Sequence, residues 1–276
     1  MAHNSPNPVM NFFDLRAAAI PSPRLGGLAE YASGAVKAPL PENVRALLAK
    51  PVSYFKEMAH SGAVRGAPLT QVAFALDRST SMGPYRDTVI TGYNAQVEAT
   101  RLGAASVGET RFTEVQFDTR AVLRQLATSL DNVPALTLEN YLPQGCTALY
   151  DALGLTIASL LDTEGIDNPN TACLVTLFTD GEDNSSVTYD PAVLGQVVER
   201  LEATGRWTFA LLGPKGSIDS LAQRLKVARS NVQAYDPASR ASVQHAFAST
   251  AIAGSQYMSM RAMGATQANA LYTSQD

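Results

Sequence analysis

Residues 71–83 read Gln-Val-Ala-Phe-Ala-Leu-Asp-Arg-Ser-Thr-Ser-Met-Gly. The first six form a short apolar run that ends at Asp77, the length and character of a buried strand. Beyond it stands a string of hydroxyl and carboxylate side chains. A strand that ends on such a string sets the frame for the rest of the chain.

Downstream, residues 87–102 carry apolar side chains at helical spacing. Residues 111–117 read as a strand, with Phe112, Val115 and Phe117 alternating imperfectly with polar neighbours. Residues 121–126 read as its antiparallel neighbour across the tight Asp118-Thr119-Arg120 turn. Residues 148–161 form an amphipathic helix with Leu149, Ala152, Leu153, Ile157, Leu160 and Leu161 on one broad face. Residues 172–178 are the most strand-like run and end at Thr179-Asp180-Gly181. A helix follows over 191–204, with Pro191 where a first helical turn tolerates it. The pattern continues as a strand at 207–212, a short helix at 217–227, a strand at 231–235 and a closing helix at 238–253. Strands that alternate with helices predict a doubly wound α/β fold of Rossmann-like type. Its central sheet is mostly parallel, with one antiparallel edge strand and helices on both faces.

Upstream the character changes. Prolines at 6, 8, 21, 23, 39, 41, 51 and 68 cut residues 1–68 into short pieces, leaving room for brief helices at 40–50 and 52–60. This division gives an N-terminal extension (1–68), a domain (69–253) and a tail (254–276) rich in Ser, Met, Ala and Gln. The extension either wraps over the domain or docks elsewhere, and wrapping is favoured because long structureless loops are uncommon in compact proteins.

Bulk properties narrow the function classes. The chain has 276 residues, of which 46% are hydrophobic and 17% charged, enough for a normal core. Its net charge is -4 and no Lys/Arg block stands out, which argues against a general grip on nucleic acid. Arg224, Lys226 and Arg229 read as a solvated helix face. No stretch reaches the length of a membrane span. Cys146 and Cys173 match no zinc or redox spacing. Unframed thiols, together with an N-terminus that lacks the pattern of a secretory leader, lead to the expectation of a cytoplasmic protein.

Three segments carry oxygen ligands at a strand or helix end: Asp77-Arg78-Ser79-Thr80-Ser81, Gly145-Cys146-Thr147 and Thr179-Asp180-Gly181-Glu182-Asp183. In open α/β sheets ligands bind beyond the carboxyl ends of strands, where strand order reverses. Taken singly, Asp-x-Ser-x-Ser and Asp180-Gly181 are turns, and Thr147 is a helix N-cap. Their joint occurrence, in order, points to a metal site. Hydroxyls and carboxylates are hard donors that favour magnesium, with manganese and calcium as alternatives. Such a set leaves a coordination position for a carboxylate from another molecule. His3, His60 and His245 are scattered. Tyr150 and Trp207 read as core or rim aromatics, and Glu182 and Asp183 as exposed loop acids.

These motifs resemble the metal-ion-dependent adhesion site of the von Willebrand factor type A (VWA) domain family, over about residues 70–253, in the form found in its bacterial cytoplasmic branch. The resemblance implies that Ser79, Ser81 and Thr147 coordinate the ion directly while Asp77 and Asp180 act largely through water. It also turns Arg78 away from the metal, as a candidate partner contact. The implied function is a non-enzymatic protein-binding adaptor, in which the cation bridges to an Asp or Glu of a partner protein. Two other readings compete. One is a structural subunit of a phage or secretion-type assembly. The other is a magnesium-dependent phosphoryl-transfer enzyme, which needs a second Asp where Ser79 stands and a phosphate-gripping Lys loop.

Overall fold

The computed structural model describes residues 39–61 and 68–272. Six strands form one sheet: β1 (Leu69–Asp77), β2 (Glu109–Phe117), β3 (Ala121–Ser129), β4 (Thr171–Phe178), β5 (Trp207–Pro214) and β6 (Val232–Tyr235). Their order is β3-β2-β1-β4-β5-β6, and every pairing is parallel except β2 with β3. The predicted doubly wound sheet with one antiparallel edge is therefore present. Every residue of β1 is buried, as expected of a central strand covered on both faces.

One face of the sheet is covered by α1 (Glu42–Leu48), α2 (Val52–Ser61), α4 (Leu149–Leu161), α5 (Pro191–Glu202) and α6 (Ile218–Leu225). Ala73 and Ala75 of β1 look that way, toward Leu153 and Ile157. The other face is covered by α3 (Arg86–Ala104) and α7 (Arg240–Ala262), over Val72, Phe74 and Leu76. The alternation of β1 side chains thus feeds two cores.

The brief helices expected before the domain form as α1 and α2. Val44, Leu47 and Phe55 are buried with the α4 and α5 side chains, so this part of the extension does wrap over the domain. Asp190 caps α5 by accepting a hydrogen bond from Ala192 N at 2.8 Å, with Pro191 in the first turn. Two ends differ from expectation. The edge strand β3 runs on to Ser129 through a bulge at Ala127, whose φ is +46°. The closing helix, expected to stop at Ala253, continues to Ala262. Gly254, which marked the expected end, is an interior position facing Gln96 of α3. Arg261 holds the last turn, donating to Leu69 O and Asn170 O at 3.2 and 2.9 Å. The helix ends where Gly264 takes a φ of +91°.

Candidate metal centre

Strand order reverses between β1 and β4, which lie side by side although their chemistry-bearing ends are far apart in sequence. Leu76 pairs with Phe178, so the next residues, Asp77 at the end of β1 and Thr179 just past β4, stand side by side. The Asp77 side chain is fully buried. Its Oδ2 accepts from Thr179 Oγ1 at 2.7 Å, and its Oδ1 accepts from Ser79 N at 2.7 Å. The second contact is an Asx-type turn, so that part of the plain turn reading is real. It bends the chain back and presents Ser79 and Ser81 on one side. Their hydroxyls lie 3.0 Å apart, and Ser81 Oγ donates to Asp180 Oδ1 at 2.9 Å. Four of the five expected residues, Asp77, Ser79, Ser81 and Asp180, thus form one hydrogen-bonded cluster drawn from two loops.

Thr147 comes in on a third loop. Gly145 O accepts from Thr80 N and Thr80 Oγ1 at 3.2 and 3.0 Å, and Gln144 N donates to Arg78 O at 2.8 Å. Thr147 N donates to Asn184 Oδ1 at 2.8 Å, and Thr147 O accepts from Asn184 N at 3.0 Å. Thr147 is therefore pinned to the loop after β4 through its own backbone, and its neighbours Gln144 and Gly145 hold to the loop after β1. Thr147 is buried. It does not cap α4. The first turn of that helix is served by Asp183, which accepts from Tyr150 N at 3.4 Å, and by Ser186, which accepts from Asp151 N at 3.0 Å.

Burial pushes the Asp77 carboxyl up to about 6, and the nearby Asp180 adds to that rise. Burial also raises Asp180, against the lowering effect of its Ser81 contact. Two carboxyls whose ionised forms lack a compensating charge favour a bound cation. Among the described residues no three His, Cys, Asp or Glu gather in one place. Hydroxyls must supply part of any coordination here. The donor set fits a hard divalent ion, and it would be held by Asp77, Ser79, Ser81, Thr147 and Asp180.

Several supporting residues carry no local sequence signal. Tyr141 OH donates to Asp77 O at 2.6 Å, and Tyr235 OH donates to Thr179 O at 3.1 Å, bracing both strand ends. Asp151 accepts from Val187 N, Thr188 N and Tyr189 N, each at 2.9 Å, and so shapes the loop between β4 and α5. Thr179 and Asp151 do stand inside or beside the quoted motifs, and that proximity is the only clue to them. Arg78, a candidate partner contact from the resemblance, instead pairs with Asp118 at 2.7 Å. Glu182 is exposed, as expected, but Asp183 is engaged with α4.

No protein-family model matches the sequence, and no curated protein matches it. Solved structures do match. The PilB minor pilin from Streptococcus sanguinis aligns at a TM-score of 0.52 and 15% identity, over 74% of this chain and 64% of that one. The pilus adhesin SpaC from Lactobacillus rhamnosus GG aligns at 0.51 and 13% identity, over 70% of this chain and 31% of that one. The vWF domain of the type V pili tip protein Mfa5 from Porphyromonas gingivalis aligns at 0.51 and 12% identity, over 71% of this chain and 97% of that one. The chain thus spans less than two thirds of the minor pilin's length.

These relatives correct the expectation of a cytoplasmic location. A minor pilin, a pilus adhesin and a pilus tip protein belong to surface appendages. That expectation rested on a missing leader pattern and unpaired thiols, and neither positively marks a compartment. No helix among the described residues is long and apolar enough to cross a membrane. Sheet order, helix placement and these alignments together show that the described chain has the Rossmann-like α/β fold of a VWA domain.

Proposed function

We propose that this protein is a metal-dependent protein-binding module rather than an enzyme. A magnesium ion is held by Ser79, Ser81 and Thr147, with Asp77 and Asp180 holding its waters; manganese and calcium are the alternatives. The remaining coordination position takes an Asp or Glu carboxylate from a partner protein. The observation that carries this reading is the Ser81 hydroxyl, which touches Ser79 Oγ at 3.0 Å and Asp180 Oδ1 at 2.9 Å across two separate loops. The backbone bonds of Thr147 to Asn184, in the loop after β4, support it. A phosphoryl-transfer site is disfavoured, because Ser79 occupies the position of the second carboxylate and its hydroxyl is directed to Ser81.

The test is calorimetric titration of chelator-stripped protein with magnesium and manganese, beside the Ser79→Ala/Ser81→Ala variant. Saturable binding in the native chain that the variant loses is the expected result. Equal behaviour of the two chains would sink the proposal.

The second reading, a structural subunit of a larger assembly, gains weight from the fold likeness to a minor pilin and a pilus tip protein. It is compatible with a cation site. Sedimentation of the full chain with magnesium and with chelator separates the two: self-assembly in both conditions favours the structural role.

A further inference from the structure

The turn between β2 and β3, Asp118-Thr119-Arg120, begins beside the candidate metal centre, because Asp77 at the end of β1 pairs with Phe117 at the end of β2. No candidate ligand lies on this turn. It closes on itself: Asp118 N donates to Arg120 O at 3.1 Å, and Arg120 N donates to Asp118 Oδ1 at 3.2 Å. A hairpin at a sheet edge requires only such a turn. This one also holds every loop that brings an oxygen donor to the centre.

The loop after β1 is held at Arg78. Arg78 N donates to Phe117 O at 2.7 Å, and the Arg78 guanidinium pairs with Asp118 Oδ2 at 2.7 Å. The loop before α4 is held on both sides of Thr147. Cys146 N donates to Thr119 Oγ1 at 3.0 Å, and Ala148 N donates to Asp118 O at 2.7 Å. Gln144 Nε2 also donates to Asp118 Oδ2, at 3.3 Å. The loop after β4 is held through Ser185 Oγ, which donates to Thr119 O at 2.9 Å. Arg78 stands between Asp77 and Ser79, and Cys146 and Ala148 flank Thr147. The turn therefore grips the immediate neighbours of three candidate ligands. Asp118 is buried, whereas Thr119 is exposed, so the Thr119 hydroxyl is not needed to fill the core.

We propose that Asp118 and Thr119 are positioning residues of the metal centre, which set its cation affinity by fixing the spacing of the three loops while supplying no ligand themselves. This rests on the reading of the centre as a cation site. Ligands on separate loops bind best when the loops are ordered before the ion arrives, since ordering on binding costs affinity. Asp118 ties the loop of Thr147 to the loop after β1, and Thr119 ties it to the loop after β4. The edge hairpin thus orients the ligands from outside their own shell.

Manganese titration of the chelator-stripped full chain tests this, followed by the paramagnetic resonance signal of the free ion well below each chain's melting temperature. Thr119→Val keeps the shape of the side chain and removes its acceptor. It should bind manganese about three- to tenfold more weakly, the range that one hydrogen bond commands. Thr119→Ser keeps the hydroxyl and should bind as the native chain does. Asp118→Asn should weaken binding by a similar factor to Thr119→Val. Thr128→Val lies in the same hairpin at the far end of β3, and removes a hydroxyl that donates to Gln125 Oε1 at 3.1 Å. It should bind as the native chain does. Native affinity in Thr119→Val and Asp118→Asn, with binding lost in Ser79→Ala/Ser81→Ala, overturns this inference and leaves the cation site standing. Equal weakening in Thr128→Val assigns the effect to a loosened hairpin and overturns it too. A native chain without saturable binding overturns the reading of the centre itself, and this inference with it.

Discussion

The Tyr141 hydroxyl donates to the backbone carbonyl of Asp77 at 2.6 Å, joining residues 64 positions apart. Both groups are buried, and the bond fixes the point at which β1 turns into the first loop. Tyr141→Phe keeps the ring and leaves that carbonyl without its partner. The expected cost is about 1–3 kcal/mol, the usual penalty for a buried unsatisfied group. Urea denaturation measures it, and magnesium titration of the same variant should show weakened binding because Asp77 is no longer held in place.

Thr147 and Thr179 should behave in opposite ways when each is changed to Val. The Thr179 hydroxyl serves a buried carboxylate oxygen, so Thr179→Val should cost about 1–3 kcal/mol of stability. Thr147 is held by backbone bonds to Asn184, which Val keeps, so Thr147→Val should melt close to the native chain and lose cation affinity. Thermal melts with and without magnesium resolve the two. A Thr147→Val chain that binds magnesium as the native one does would remove this residue from the ligand set.

Gly145 occupies a φ of +69°, and a Cβ there would lie 2.5 Å from Thr119 Oγ1. Gly145→Ala should therefore cost about 1–2 kcal/mol from the backbone alone. The clash should also displace the loop that carries Thr147. Lower melting together with weaker magnesium binding is the expected pair of results. Loss of stability with binding intact would show that the loop absorbs the strain elsewhere.

Glu202 gives a dependence on pH that is separate from the candidate metal centre. Burial raises its carboxyl from the ordinary 4.5 to about 7, against a lowering contact from the Phe209 backbone. A carboxyl raised on folding favours the folded state only while protonated. Its contribution is present below 4.5 and is lost as pH rises through about 7. Glu202→Gln should therefore melt above the native chain at pH 8 and with it near pH 4.5. Melting curves across that range check the sign.

The sheet was legible because β1, β4 and β5 are mainly apolar runs, and α4 because it has a broad apolar face. The cluster of Asp77, Ser79, Ser81 and Asp180 was legible because each stands in or beside a recognisable strand end. Tyr141 and Tyr235 were not. Each acts through one hydroxyl on a carbonyl far away in sequence, and a tyrosine in a loop or a short strand announces nothing of the kind. The end of α7 was misplaced for a related reason. A glycine reads locally as a stop, but Gly254 lies inside α7 facing Gln96 of α3, and Arg261 anchors the helix beyond it.

The neighbouring position of β1 and β4 has a consequence for when the site exists. Asp77 and Thr179 are 102 residues apart, and their contact closes a loop that holds α3, β2, β3 and α4. Closing so long a loop precedes any reward from the contact. A chain emerging during synthesis therefore displays Asp77, Ser79 and Ser81 long before it can gather them with Asp180. Until β4 has paired, a cation finds only scattered, hydrated oxygens. Under the proposed function, gripping an ion would then be a property of the finished sheet.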